Sequence, residues 1–303
     1  MNEADILGCK NLAVLDVGSN SVRAGLFKQG KLVGRTLVTC RLGEGVENGI
    51  LNEKSIYRTV EGIKTLLSFS KDGGAEYVCA FATEAVRRAK NRSVFLDKVK
   101  EQTGLDIYVV SGEGEAELAL SGALSSADGT VIDLGGASTE VAVRRNGKTV
   151  YSHSLNVGAV VLNDLCGRDK SSLSKFIGEK VNEYGDIPAS EKVIAIGGTA
   201  TSLAEYYLKL KEYDPKKTHG TVISLTSLSS IADELENAEP SDISSESCVD
   251  PKRAEIIFGG AVLLKAVAEK CGAKFVSVSE SDNLEGFYEA VRSGVVKPGI
   301  LKL

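Results

Sequence analysis

Two short segments end an apolar run on an aspartate and follow it with a glycine turn and hydroxyl side chains: VLDVGSNSVRAGL from Val14 and VIDLGGASTEVAV from Val131. They superpose without a gap. Asp16, Gly18 and Ser21 fall on Asp133, Gly135 and Ser138, and Gly30-Lys31 falls on Gly147-Lys148, 117 residues apart throughout. The chemistry such residues support is the holding of an anion, because a glycine just after a strand lets backbone N–H groups turn toward a bound oxygen unobstructed. Ser19, Asn20 and Ser21 in the first copy, and Gly135, Gly136, Ala137, Ser138 and Thr139 in the second, supply backbone, hydroxyl and amide donors suited to phosphate. Asp16 and Asp133 are placed to hold Mg2+ (or Mn2+), a hard cation that prefers carboxylate, water and phosphate oxygen. One copy alone reads equally well as a strand-to-strand turn with a capping aspartate. Repetition of the acid, the serine and the next hairpin in register points instead to a duplicated unit.

Other residues could complete such a site. In FATEAVRRAKNR, Thr83, Arg87 and Asn91 are spaced by four and share a face if their helix is continuous. Arg87, Arg88, Lys90 and Arg92 form the densest basic cluster of an otherwise acidic chain, as a polyanion site requires and as a solvated helix surface also shows. Arg23 directly follows the first loop. Glu113 and Glu115 open a helix in SGEGEAEL, where a carboxylate can orient a water or simply favour the helix dipole. Glu140 closes the second loop, either as a site acid or as a solvent-facing strand residue. Gly198 and Thr199 lie where the strand KVIAI runs into a helix N-terminus able to cap a phosphate.

Positioning these residues requires strands that alternate with helices. Each repeat reads as three strands joined by a glycine turn and a Gly-Lys turn. After the first come a glycine-rich connection, a helix over about Ser55–Phe69, the strand EYVCAFA, helical pieces ending at Gly104, the strand DIYVV and the helix GEGEAELALSGAL. After the second come helices near Ala159 and Ser174, the strand KVIAIGG, a helix from Thr199, a long helix over PKRAEIIFGGAVLLKAVAEKCG, the strand KFVSVS and a last helix near Leu284. The final VVKPGILKL reads as loosely attached. The pattern predicts an α/β fold in two domains, 1–124, completed by 284–303, and 125–283, with the twin loops facing across an interdomain cleft.

The 303 residues carry a net charge of -5, which argues against nucleic-acid binding by general basicity. No apolar run approaches a membrane span and the N-terminal MNEADILGCK has no signal core, so a cytoplasmic protein is expected. The six cysteines, Cys9, Cys40, Cys79, Cys166, Cys248 and Cys271, are widely spaced and read as reduced structural thiols.

From LDVGSNSVRAGLF through CRLGEGVENG, ATEAVRRAKN, SGEGEAEL, VIDLGGASTEVAV, VIAIGGTATSLA, THG at Thr218, PKRAE at Pro251 and EG at Glu285, the chain resembles the exopolyphosphatase and guanosine pentaphosphate phosphohydrolase family. That resemblance implies two actin-like (ribonuclease H-like) domains of the ATPase superfold. It also implies release of terminal orthophosphate from inorganic polyphosphate or from pppGpp, with Mg2+ or Mn2+ as cofactor, K+ as a candidate activator and a homodimer as a candidate assembly. It makes Glu115 the residue that positions the attacking water, with Glu113 as runner-up. Arg87 becomes the phosphate-binding cation, and Glu140 joins Asp133 on metal or water. His219 falls in the family's H-G element as a candidate cleft residue, whereas His153 has no supporting pattern. The chain departs from the family at Glu117 and Leu284, where arginines are usual, and at Ala137, where glycine is frequent. Two missing cations would weaken an anion channel. A sensor that binds (p)ppGpp or polyphosphate without hydrolysis, and an actin-like ATPase or sugar kinase, remain as rivals. ATEAVRRAKN and SGEGEAEL count against the latter.

Overall fold

The structure is a computed structural model and describes residues 11–44 and 49–303. Cys9 and part of the CRLGEGVENG segment lie outside the described residues. The chain forms two compact units, Met1–Leu118 with Asn283–Leu303, and Ala119–Asp282.

In the first unit β1 (Asn11–Val17), β2 (Ser21–Lys28) and β3 (Lys31–Thr39) form an antiparallel meander, and β4 (Tyr77–Ala82) runs parallel to β1. β5 (Ile107–Val109) adds in parallel to β4, and β12 (Leu301–Lys302) pairs antiparallel to it. In the second unit β6 (Gly129–Leu134), β7 (Thr139–Arg145) and β8 (Lys148–Leu155) repeat the meander, and β9 (Val193–Ile196) runs parallel to β6. β11 (Phe275–Val278) follows in parallel and β10 (Val222–Ser224) closes the edge, giving the order β10-β11-β9-β6-β7-β8. β1 and β4 are apolar and buried along nearly their whole length, as strands covered on both faces must be.

The duplication reaches backbone detail. The β2–β3 turn has positive φ at Gln29 (50°) and Gly30 (82°), and the β7–β8 turn has it at Asn146 (50°) and Gly147 (70°). Two such residues make the hairpin turn whose twist matches the strands it joins. The register of each hairpin slips at the same step, Leu26/Phe27 and Val143/Arg144.

On one face of the first sheet lies the helix Glu53–Asp72, begun by Asn52 accepting from Ser55 N and burying Ile56, Val60, Ile63 and Leu66. The helix Asn283–Arg292 covers the other face, where Phe287 stacks on Phe81 (4.5 Å) and Tyr288 on Phe27 (4.1 Å). The second core is organised by the helix Ile257–Lys270 with Gly198–Tyr207 and Leu225–Asn237.

Two sequence expectations change, and one condition is not met. The helical pieces through ATEAVRRAKN do not join: the first stops at Arg88, Ala89 is extended (ψ 126°), and a second helix spans Arg92–Thr103. The long helix from Pro251 divides into Pro251–Ala254 and Ile257–Lys270. The C-terminal tail is anchored rather than loose, because Leu301 pairs with Val78 and Leu301 and Leu303 pack against the core. Cys40, Cys79, Cys166, Cys248 and Cys271 are free thiols. Among the described residues no helix is long and apolar enough to cross a membrane.

Candidate active site

Both glycine loops have their carbonyls tied down by the chain behind them. In the first, Ser19 O accepts from Gly43 N (2.9 Å), and Asn20 O accepts from Cys40 N (3.0 Å) and Arg41 N (2.7 Å). In the second, Gly135 O accepts from Ala159 N (3.1 Å) and Gly136 O from Val160 N (2.9 Å) and Val161 N (3.2 Å). In a planar trans peptide the C=O and the next N–H point in opposite directions. Anchoring those carbonyls therefore aims the N–H groups of Asn20 and Ser21, and of Gly136 and Ala137, away from the anchoring backbone, as an anion nest requires. Each loop closes alike, Gly18 N to Ser21 O (3.1 Å) and Gly135 N to Ser138 O (3.0 Å). Ala137 is exposed and is not among the residues with positive φ, so the loop accommodates its methyl.

The strand-end acids differ in their partners. Asp16 lies opposite Arg23 on β2, and its Oδ2 accepts from Arg23 Nε (3.0 Å) and Nη2 (2.5 Å). Asp133 lies opposite Glu140 on β7, at the same step of the same register. Opposed residues share a face with Cβ atoms about 5 Å apart, so the second loop carries two acids where the first carries an acid and an arginine. Glu140 Oε1 accepts from Ser154 Oγ (2.6 Å). The pair Asp133 and Glu140 fits a hard divalent cation. Asp16, also expected as a metal ligand, has its Oδ2 engaged by the Arg23 guanidinium. Among the described residues no group of three or more His, Cys, Asp or Glu converges on one metal site. An ion on two carboxylates completes its shell with water and phosphate oxygen, as Mg2+ commonly does.

Within the first unit, Arg87 Nη1 donates to Glu115 Oε2 (2.7 Å) and to Val110 O (3.1 Å). Burial pushes the Glu115 carboxyl up, Arg87 pulls it down, and the charges of Asp16 and Glu84 push it up again. The structure separates the two glutamates of SGEGEAEL, since Glu115 joins this arginine while Glu113 is exposed at the start of its helix. The end of β4 and the following short helix deliver Arg87, and the helix Gly112–Leu124 delivers Glu115.

Several expected site residues have other roles. Thr83 is the N-cap residue of the short helix without a side-chain capping bond. Asn91 is spent on Leu51, donating to its carbonyl and accepting from its amide (both 2.9 Å), because the break at Ala89 removes it from the face of Arg87. Thr139 is buried, its hydroxyl donating to Val157 O (2.6 Å), and Thr199 is buried with its methyl against Gly260. Arg88, at 65% side-chain exposure, pairs with Glu84, and Lys90 and Arg92 are also exposed. His153 is exposed and meets Tyr184 edge-on. Leu284 is 1% exposed among Phe27, Phe81, Phe287 and Tyr288, so this position belongs to the core and not to an anion channel; Glu117 is exposed.

Sequence reasoning missed Arg253 and Glu205. A Cβ on Gly198 would come within 2.0–2.2 Å of the Arg253 guanidinium, so this arginine packs directly over the start of the helix Gly198–Tyr207. Glu205, on the helix that Gly198 begins, is buried, and desolvation raises its pKa to about 7. The apolar spacing of LAEYY conceals a carboxylate on the inner face, so no sequence signal marked it.

Two sheets built on the same meander, each with a glycine loop after its first strand, and an arginine-bound glutamate in the first unit define a duplicated α/β protein with donors suited to an anion. A model of the Ppx/GppA phosphatase family matches residues 21–291, and the chain belongs to that family. It is 31% identical, over 93% of its length, to a bifunctional 3-dehydroquinate synthase/phosphatase of Fusobacterium nucleatum, of which it covers 46%. It is 28% identical to exopolyphosphatase 2 of Mycobacterium tuberculosis, covering 91% of this chain and 96% of that one. Half of the chain (49%) is 34% identical to a guanosine-5'-triphosphate,3'-diphosphate pyrophosphatase of Pseudoalteromonas translucida, of which it spans 32%. The crystal structure of the Aquifex aeolicus family member, 28% identical, superposes with a TM-score of 0.77 over 94% of this chain and 97% of that one.

Proposed function

We propose that this protein is a phosphoanhydride hydrolase that removes terminal orthophosphate from inorganic polyphosphate, with the 5′ phosphate of pppGpp as a second substrate of the same chemistry. The observation that carries the reading is the Arg87–Glu115 pair. A partly desolvated carboxylate with a raised pKa is a competent general base, and its arginine supplies the cation that a phosphoryl group needs. Glu115 takes a proton from water as the water oxygen bonds to the terminal phosphorus and the bridging P–O bond breaks. The electron pair leaves on the shortened chain. Arg87 and the loop N–H groups of Asn20 and Ser21 hold non-bridging oxygens, and Arg23, braced by Asp16, adds a second cation; the second loop offers its own N–H groups, at Gly136 and Ala137, to phosphate. Phosphoryl transfer depends mainly on such positioning and charge neutralisation. A divalent ion, assigned to Asp133 and Glu140, supplies further neutralisation of phosphate oxygen when bound.

Phosphate release from polyphosphates of several lengths, pppGpp and ATP, with and without Mg2+, tests the reading. Release from the first two that needs Mg2+ and is lost in Glu115→Gln is expected. Tight binding without release would favour a sensor, and release from ATP alone an ATPase. Because the Glu115 carboxyl is raised, activity should fail on acidification at a higher pH than an ordinary glutamate would give. Arg87→Ala should lose one to three orders of magnitude in kcat/KM, the range of a charge-assisted phosphate contact, ~1.5–4 kcal/mol. Wild-type turnover in that variant would reduce Arg87 to a structural partner of Glu115.

A further inference from the structure

At the far end of the second sheet a side-chain cluster remains that the proposed hydrolysis does not use. The segment before β10 runs beside the end of β11, with Gly220 N donating to Val278 O (2.7 Å) and Val278 N to Thr221 O (2.8 Å). One step on, Glu280 N donates to His219 Nδ1 (3.2 Å). A neutral imidazole that accepts at Nδ1 carries its proton on Nε2, so the exposed His219 is held in one tautomer with one donor. The Glu280 side chain, 9% exposed on the residue scale, is fixed in turn by Tyr213 OH (2.7 Å) and by the buried Thr218 Oγ1.

Val278, Ala195 and Ile132 are register partners across β11, β9 and β6. His219 therefore lies along the same carboxyl edge as Asp133 and the Gly197–Gly198 turn, the edge where open α/β sheets take their ligands. From β10 to β6 there are three strand spacings, about 14 Å in all. That is too far to touch a phosphate held at the second loop, yet within the length of a nucleotide bound there. Charge suggests which part of a substrate arrives. Glu280 adjoins His219, and Glu205 interacts with Glu280, Asp250, Cys248 and Arg253, three carboxylates with one guanidinium among these named residues. Lys217 pairs with Asp214 (3.7 Å), and Lys216 is exposed on the same short helix. A neutral acceptor suits a neutral N–H beside carboxylates better than another phosphate does.

We propose that His219 is a specificity-determining donor, fixed by the Glu280 amide, that reads an acceptor on the nucleoside end of a nucleotide substrate bound along the carboxyl edge of the second sheet. The inference rests on the hydrolase reading above and extends its pppGpp branch. His219→Asn keeps an acceptor for the Glu280 amide and removes the Nε2 donor, whereas His219→Gln restores a donor near Nε2. The ratio of kcat/KM for pppGpp to that for tripolyphosphate should fall about tenfold in His219→Asn, the loss of one hydrogen bond, and return to within about threefold in His219→Gln. Calorimetry in a Glu115→Gln background reads the contact without turnover: adding His219→Asn should weaken pppGpp about tenfold and tripolyphosphate less than about twofold. Nitrogen-15 spectra of the free protein should show the proton on Nε2. An unchanged ratio in an active enzyme, equal losses on both ligands, or a proton on Nδ1 would overturn the inference and leave the hydrolase reading standing. A wild-type protein that releases no phosphate, but whose pppGpp binding still drops with His219→Asn, would sustain the contact and overturn the hydrolysis.

Discussion

The repeated hairpins make a quantitative prediction about metal binding, because one register sets Asp16 against Arg23 and Asp133 against Glu140. An ion held by Asp133 and Glu140 is attracted by both charges, so Asp133→Asn or Glu140→Gln, which removes one of them, should weaken Mn2+ by about two orders of magnitude, about 3 kcal/mol. Asp16 offers no such gain, since Arg23 already bonds its carboxylate at 2.5 and 3.0 Å. Asp16→Asn should change Mn2+ affinity by less than about threefold. It should lower stability by about 2–3 kcal/mol, because a partly buried guanidinium loses its charged acceptor. Mn2+ titration followed by electron paramagnetic resonance measures the affinities without substrate, and urea denaturation measures the stability. If Asp16→Asn weakens Mn2+ as severely as Glu140→Gln, the division of labour inferred from the register is wrong.

Three further outcomes follow from packing and burial. Glu205 is 7% exposed with its pKa raised from 4.5 to about 7, so its burial is tolerated below the unfolded value and stability is lost as pH rises through the folded one. Glu205→Gln should therefore stabilise the protein by about 2–3 kcal/mol at pH 8 and by little at pH 4.5; equal urea midpoint shifts at both would refute the assignment. Leu284→Arg, which adds the cation that the sequence resemblance leads one to expect there, should not raise activity. It buries an unpaired charge in the first core and should cost several kcal/mol, read as a lower thermal midpoint. Gly286→Ala puts a Cβ within 2.0 Å of Leu118 O, where backbone meets backbone, and should destabilise by about 3 kcal/mol; an unchanged midpoint would show that the two helices can part freely.

The twin loops, the meanders and the Gly-Lys turns were legible because each rests on local chemistry: an acid at a strand end, glycine where φ is positive, an alternation of apolar residues. Residues whose roles depend on what packs against them were not. Asn91 shares a spacing of four with Arg87, but the extended Ala89 between the helices turns its amide to Leu51. Thr139 carries the hydroxyl of a phosphate loop and spends it on Val157. Leu284 precedes the EG element, where the resemblance leads one to expect arginine, and only the stacked rings around it show that the position belongs to the core. The tail after Pro298 has too few residues to announce a strand, yet it finds the exposed edge of β4.

The shared register also explains how a duplicated loop can acquire two jobs with little change to its backbone. Turn, bulge and loop closure recur at the same steps in both copies, so the position opposite the aspartate is presented in the same way each time. On the proposed reading, arginine there gives the first loop a cationic grip whose acid braces the guanidinium, and glutamate gives the second an acidic pair suited to a metal. Exchanging these residues, Arg23→Glu with Glu140→Arg, should therefore move Mn2+ binding from the second hairpin to the first while each backbone keeps its form. A double variant that folds and still binds Mn2+ through Asp133, shown by its loss on adding Asp133→Asn, would mean that surroundings beyond the cross-strand pair choose the site.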